Sequence, residues 1–308
     1  AVVDPHRYPP YRPPAAAPAM LDIAEPFTTR AAPDVAAWAA RFDPAALPVL
    51  AATAAEIEEL RPLEDEVDAS TLAEVIAGDP LMTLKLLAHV AHVARLARAR
   101  RGRDASGAET VTAALLMLGV PPFFRAFGPQ PTVQQRLGRL PRSMAGFERV
   151  LRRSRRAARF ALAFAAHRLD PDAATIHGAT LLHDFAELLL WLEAPTLALR
   201  IAERQRETPD LRSAAVQKEL LHIELGELQH ELMLRWRLPT LLMQIADPAA
   251  GSESLQLRNV RLAIRLARHS ANGWNDPALP DDLHDIGAFL QLAPPHVDRL
   301  LRGIDAED

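Results

Sequence analysis

The sequence contains no cysteine, only 13 glycines and almost no lysine, with Lys85 and Lys218 as the two exceptions. The absence of cysteine excludes disulfides, thiolate zinc sites and cysteine nucleophiles, and it fits a reducing compartment. With so few glycines, the chain has no glycine-rich phosphate-binding loop. No apolar run approaches the roughly 20 residues of a membrane span, and the N-terminus lacks the order of a secretory signal. We therefore expect a cytoplasmic protein that does not enter a membrane.

The charge balance gives no global argument for nucleic acid. The 308 residues carry a formal net charge of −4, and charged residues make up 24% of the chain, an ordinary value for a soluble protein. Two arginine clusters, at 95–103 and 149–159, have the chemistry to bind phosphates of a nucleotide or a nucleic acid. Neither is interleaved with aromatic residues, so exposed helix faces are the preferred interpretation. Nucleic acid is not expected as a partner, and a nucleotide ligand is left open.

What the sequence does contain is a nearly continuous series of apolar residues at intervals of three and four. From residue 47 onwards these intervals predict one helix after another, and no segment alternates between apolar and polar residues as a half-buried strand would. The predicted fold class is therefore all-α. With 49% hydrophobic residues, the chain has enough apolar material to bury a sizeable core.

Proline and glycine suggest how these helices are grouped. Many prolines near the N-terminus predict an extended or disordered arm with one short helix, over 1–43. A cluster of breakers at 128–131 predicts an interruption between two packed helical lobes. We divide the rest of the chain into a helical domain at 44–250 and a C-terminal helical extension at 251–308.

One of the predicted helices carries an adjacent His183 and Asp184. Leucine and phenylalanine recur at helical spacing across 181–192, which predicts a largely buried amphipathic helix. Buried polar groups must be paired, hydrogen-bonded or bound to metal. Some metal hydrolases hold a divalent ion with such a pair, whose side chains diverge by about 100°, when other helices complete the ligand shell. The functional question is whether this chain completes that shell.

Five sequence motifs occur in the order known from one protein family. They read I-A-G-D-P-L-M-T-L-K-L-L at 76–87, V-T-A-A-L-L-M-L-G at 111–119, R-S-R-R-A at 153–157, G-A-T-L-L-H-D-F at 178–185, and E-L-L followed by L-R-W-R-L-P within 219–239. In these motifs the chain resembles the HDOD family, the HD-related output domains of bacterial signalling proteins. The resemblance implies a multi-helix HD-related domain in two packed helical lobes.

The metal-hydrolase interpretation requires a histidine upstream of the His-Asp pair, and Arg153 stands at the expected position. A guanidinium stays protonated and offers no lone pair, so it is not a metal ligand. His177 and Asp247 are weaker candidates for substitute ligands, and a cap or a surface position is the preferred interpretation of each. We therefore expect no metal, and we regard His183 and Asp184 as a vestigial metal site.

The resemblance and the incomplete ligand set together favour binding over catalysis. The predicted function is a non-catalytic bacterial signalling or regulatory domain that acts as a scaffold for a protein partner and needs no cofactor. The alternative is a metal-dependent phosphohydrolase of the HD type with an unusual ligand set.

Arg153 has a predicted role of its own. It shares a helix face with Val150, Ala157 and Phe160, at steps of three and four, and this apolar face predicts that its side chain points inward. If the fold follows the family, its head approaches Asp184. We hypothesise that Arg153 is a fixed cation that replaces the metal and pairs with Asp184, whose burial alone would be costly. A second interpretation stays open, in which Arg153 extends to solvent and Asp184 caps a backbone amide.

Overall fold

The computed structural model describes four stretches of the chain, residues 27–101, 107–208, 211–246 and 254–306. Every regular element in these stretches is a helix, and their only β-type pairing is an isolated parallel bridge between Val49 and Thr132. The all-α fold class is thus confirmed. None of the helices in these stretches is long and apolar enough to cross a membrane. Most of the predicted arm, residues 1–26, lies outside the described residues.

The described chain begins with a segment that lies against the second half of the molecule. The amide of Thr28 donates a hydrogen bond of 2.9 Å to the carbonyl of Glu193. The first helix, α1 (Val35–Ala39), is the short helix expected near the N-terminus. Its Trp38 is fully buried and donates its indole N–H to the carbonyl of Leu221 at 3.0 Å. The division into three domains stays a prediction.

Among the described residues, the first lobe has five helices, α2 (Ala51–Leu60), α3 (Ala69–Ala77), α4 (Pro80–Arg101), α5 (Val111–Leu118) and α6 (Val120–Ala126). Capping side chains define where several of them begin. Asp68 accepts a hydrogen bond from the amide of Thr71 at 2.8 Å, and Thr110 accepts one from the amide of Ala113 at 3.1 Å. These caps satisfy amides that have no partner inside the helix. Helices α3, α4 and α5 pack on one another and bury their apolar faces.

The connection between the lobes is broken, as the breakers at 128–131 predict. Helix α6 ends at Ala126, a short helix α7 (Val133–Leu137) follows, and the next long helix begins only at Pro141. The connection is held by the bridge to Val49, whose amide and carbonyl both bond to it at 2.9 Å.

In the part of the chain that the structure describes, the second lobe contains ten helices, α8 (Pro141–His167), α9 (Ala173–Leu181), α10 (Phe185–Glu193), α11 (Pro195–Glu207), α12 (Ser213–Leu221), α13 (Leu225–Trp236), α14 (Thr240–Ala246), α15 (Leu255–His269), α16 (Leu279–Leu290) and α17 (Pro294–Asp305). Helix α8 is central, and α9, α10 and α15 all pack along it. Gly146 permits the close approach of α10, because a Cβ at this position would lie 2.2 Å from the ring of Trp191. The side chain of Arg155 links the lobes by donating to the carbonyl of Gly78 at 2.8 Å.

The expectation of one continuous helix around His183 and Asp184 is wrong. Helix α9 ends at Leu181, and α10 begins at Phe185, so the two polar residues lie in the turn between them. The reason is that apolar residues occur all round this segment, and nearly all of them are buried. A single straight helix has one face to bury, whereas two helices joined by a turn can direct these side chains into different parts of the core.

Candidate functional site: a cluster of guanidinium groups

Five side chains from four parts of the second lobe meet at the turn between α9 and α10. We call them the guanidinium cluster: Arg153 from α8, His183 and Asp184 from the turn, Glu187 from α10 and Arg268 from α15. The packing of α10 and α15 along α8 brings these segments together. The cluster thus occupies the position where the sequence predicts a vestigial metal site.

Arg153 lies between two carboxylates. Its Nε and Nη2 atoms lie 2.9 and 2.8 Å from Oδ2 of Asp184, and Nη2 also lies 2.6 Å from Oε2 of Glu187. The side chain of Arg153 is 22% exposed and that of Asp184 is 14% exposed. The structure therefore brings together the two residues that the sequence analysis pairs, and it adds Glu187 as a second acceptor for the same guanidinium.

Arg268 donates to the two acceptor atoms of the turn that Arg153 does not contact. Its Nη2 atom donates to Nε2 of His183 at 3.0 Å and to Oδ1 of Asp184 at 3.3 Å. Because a guanidinium can only donate, Nε2 of His183 must be the acceptor, and the ring proton of the neutral imidazole is then on Nδ1. That buried Nδ1 atom has no hydrogen-bond partner among the residues that the structure describes.

The pKa values follow from burial and from the balance of two cations and two anions. Burial lowers the pKa of His183, and both guanidinium groups act in the same direction, so the imidazole is neutral at neutral pH. Burial alone would raise the pKa of Asp184, but its neighbours His183, Arg153 and Arg268 bring it below its ordinary value. Since His183 is neutral, we assign this lowering to the two guanidinium groups. Burial raises the pKa of Glu187, and the positive charge of Arg153 partly offsets this increase.

The residues present do not fit a catalytic metal ion. Both carboxylate oxygens of Asp184 already accept hydrogen bonds from guanidinium groups, and Nε2 of His183 accepts one as well. Across the described residues, no group of three or more histidine, aspartate or glutamate side chains could hold a metal. A divalent ion placed here would face two fixed positive charges. No step of metal chemistry can therefore be derived for this site.

The two weaker candidates do not enter the cluster as the structure describes it. His177 lies on α9, where burial lowers its pKa, and it takes part in none of the hydrogen bonds given above for the cluster. Asp247 lies outside the described residues.

Comparison with known proteins identifies the family. A family model of the HDOD domain matches residues 47–249, more than half of the chain. The chain belongs to the HDOD family. None of the curated proteins matches its sequence.

Two solved structures share the HDOD-type fold of the chain. The first is the MmoQ response regulator from Methylococcus capsulatus str. Bath, with 21% identity and a TM-score of 0.59, covering 83% of this chain and 98% of that one. The second is a virulence factor from Campylobacter jejuni subsp. jejuni, with 17% identity and a TM-score of 0.54, covering 80% of this chain and 85% of that one. At such low identities the likeness shows the fold alone.

Two residues of the HDOD motif at 76–87, together with one residue outside it, form a second buried polar group. We call this group the amide anchor: Asp79, Lys85 and Gln130. Oδ2 of Asp79 accepts the amide of Leu50 at 2.8 Å, while Oδ1 accepts two amides at the start of α4. The ammonium of Lys85 donates to the carbonyl of Leu47 at 2.7 Å and to the side chain of Gln130 at 2.5 Å. The motif thus attaches the segment before α2 to the core of the first lobe.

Sequence reasoning missed two members of the guanidinium cluster in this HDOD chain. Glu187 follows Asp184 by three residues, a spacing that places both carboxylates near one position on α8. That spacing is the signal that would have found it. Arg268 lies beyond the residues that match the HDOD model, on α15. Its sequence neighbourhood contains no feature that singles it out from the other arginines of that helix.

Proposed function

We propose that the protein is a non-catalytic signalling or regulatory module that acts by binding a protein partner, with no metal and no cofactor. One observation carries this proposal: two guanidinium groups occupy Asp184 and His183, the residues that would otherwise bind metal. The acceptor atoms of this site are already hydrogen-bonded inside the protein, so none is free to bind a metal for hydrolysis. The protein would then act through its surface.

Family and fold support the signalling part of the proposal. The HDOD domain spans most of the chain, and the similar structure from Methylococcus capsulatus is named a response regulator. The chemistry of the cluster supports the non-catalytic part, because its two cations and two anions balance without an added ion. A module of this kind transmits a signal through contacts with another protein, and it turns over no substrate.

Metal content and turnover test the proposal together. We expect the purified wild type, incubated with Mn²⁺ or Zn²⁺ and desalted, to retain less than stoichiometric metal and to leave bis(p-nitrophenyl) phosphate intact. The matched variants are Asp184→Ala in the cluster and Asp298→Ala, whose carboxylate pairs with Arg302 on the exposed side of α17. Stoichiometric metal and turnover that are lost in Asp184→Ala but kept in Asp298→Ala would establish the hydrolase alternative instead.

A further inference from the structure

The C-terminal helix α17 has few fully buried apolar side chains. The residues that it buries are Val297 and Leu301, whereas α15 buries eight residues. The surface of α16 that faces α17 nevertheless fits this helix closely. A Cβ on Gly287 of α16 would lie only 3.3 Å from the side chain of Val297. Two buried aliphatic side chains, with Leu300 and Ile304 partly buried beside them, offset only part of the entropy lost when twelve residues are ordered. A further interaction must therefore fix α17 in place.

That interaction is an ion pair at the end of the helix. Asp305 accepts hydrogen bonds from Nε and Nη2 of Arg156 on α8, the latter at 2.8 Å, and from the indole N–H of Trp274 at 3.0 Å. The side chains of Arg156 and Asp305 are 11% and 21% exposed. The guanidinium also lies over the ring of Trp274, 5.6 Å from its centroid. Such a bidentate, partly buried pair is stronger than an exposed one.

The position of this pair connects α17 to the guanidinium cluster. Arg156 lies three residues after Arg153, one turn further along α8. The contact between α17 and α8 at Arg156 therefore lies about one helical turn from Arg153. The groove beneath it is formed by Arg156, Trp274 and the face of α16 around Gly287, and we call it the α17 groove.

We propose that α17 is a displaceable latch, and that the α17 groove binds an acidic amphipathic helix of a protein partner in its place. The inference rests on the proposed function, for which it names a docking surface. Val297, Leu301 and Asp305 follow one another at steps of four and so lie on one face of α17. A partner helix that displaces α17 must repeat this pattern of two aliphatic residues and one carboxylate, because otherwise the guanidinium of Arg156 would be left without its acceptor.

Hydrogen exchange in the full-length protein tests the latch without any partner. We compare Asp305→Asn with Asp298→Asn, whose carboxylate pairs only with Arg302 on the same helix in the described structure. We expect Asp305→Asn to accelerate exchange of the amides in 294–306 by about tenfold or more, with α8 and α15 unchanged. Asp298→Asn should leave the exchange of α17 within about twofold of the wild type. Equal protection in Asp305→Asn and the wild type would overturn the latch.

A synthetic peptide of residues 293–306 tests the groove. In Asp305→Asn the internal helix is weakened while Arg156 and Trp274 are intact, so the wild-type peptide should bind this variant at least about tenfold more tightly than the wild-type protein. A peptide that carries Asp305→Asn should lose this advantage. Equal binding of both peptides, or binding to neither protein, would overturn the inference. Neither measurement involves metal or turnover, so the latch and the proposed function can fail separately.

Discussion

The amide anchor and the guanidinium cluster place charged groups inside the same molecule in two different ways. In the anchor, Asp79 accepts hydrogen bonds from three backbone amides, and Lys85 donates to a backbone carbonyl and a neutral side chain. In the cluster, charged side chains bind mainly one another. The anchor thus depends on the path of the backbone, and the cluster depends on the identity of distant side chains.

The two groups therefore require different things of the sequence. Backbone amides and carbonyls are present whatever the side chains are, so an aspartate and a lysine at the right spacing are enough to form the anchor. The cluster needs complementary charges from α8, α10 and α15 at once. Arg153 can be buried here because the carboxylates Asp184 and Glu187 accept its hydrogen bonds, and a lone buried charge is far more costly than a pair.

The largest effect should come from removing the central cation of the cluster. We expect Arg153→Met to reduce the free energy of unfolding in urea by about 3–5 kcal/mol, because Glu187 then loses its guanidinium donor and Asp184 keeps only the long contact with Arg268 in a mostly buried site. The control is Arg152→Met, an exposed neighbour on the same helix, which should change stability by no more than about 0.5 kcal/mol. Similar losses in both variants would remove the distinction between the cluster and an ordinary surface.

The amide anchor should make the stability of the protein depend on pH in the alkaline range. Burial lowers the pKa of Lys85 to about 8, with the charges of Asp79 and Asp43 acting in the opposite direction. Because the folded pKa lies below the unfolded one, the stability linked to Lys85 is fully present above the unfolded pKa and is lost as pH falls through about 8. Between about pH 8 and about pH 10, the stability of the wild type relative to Lys85→Met should rise by about 1–3 kcal/mol.

Urea unfolding of both proteins across this pH range provides the measurement. The subtraction of Lys85→Met removes titrations that the two proteins share. If the difference in stability between the wild type and Lys85→Met stayed constant with pH, burial of the Lys85 ammonium would have no energetic cost, and this prediction would be wrong.

A smaller effect is expected from the second cation of the cluster. The side chain of Arg268 is 52% exposed, so its pairing with Asp184 is screened by water. We expect Arg268→Met to reduce stability by about 0.5–1.5 kcal/mol in the same urea series, well below the loss in Arg153→Met. Equal losses would mean that the two guanidinium groups are equally necessary.

The fold was largely predictable from the sequence because helix periodicity is a local signal. The cap at Asp68, the interruption at 128–131 and the all-α class all follow from residues within one or two turns. The turn at His183 and Asp184 was not predictable, because the segment contains no glycine or proline after Gly178 and is apolar on all sides. Only the surrounding core determines where such a segment bends.

The site was predictable only in part. The inward direction of Arg153 follows from its apolar helix face, and the packing of α10 on α8 places Asp184 beside it. Arg268 is separated from Asp184 by more than 80 residues and shares its helix with three other arginines, at 258, 261 and 265. Nothing local tells which of these arginines reaches the turn, because that depends on how α15 packs against α8.

A double-mutant cycle tests the central claim that Arg153 is the fixed cation of this site. The free energies of unfolding of the wild type, Arg153→Met, Asp184→Asn and the double variant are measured in urea under one set of conditions. We predict that the double variant is more stable than Arg153→Met alone, with a coupling of at least about 1 kcal/mol, because neutralising Asp184 removes a buried charge that has lost its main donor. Losses that simply add would contradict the account.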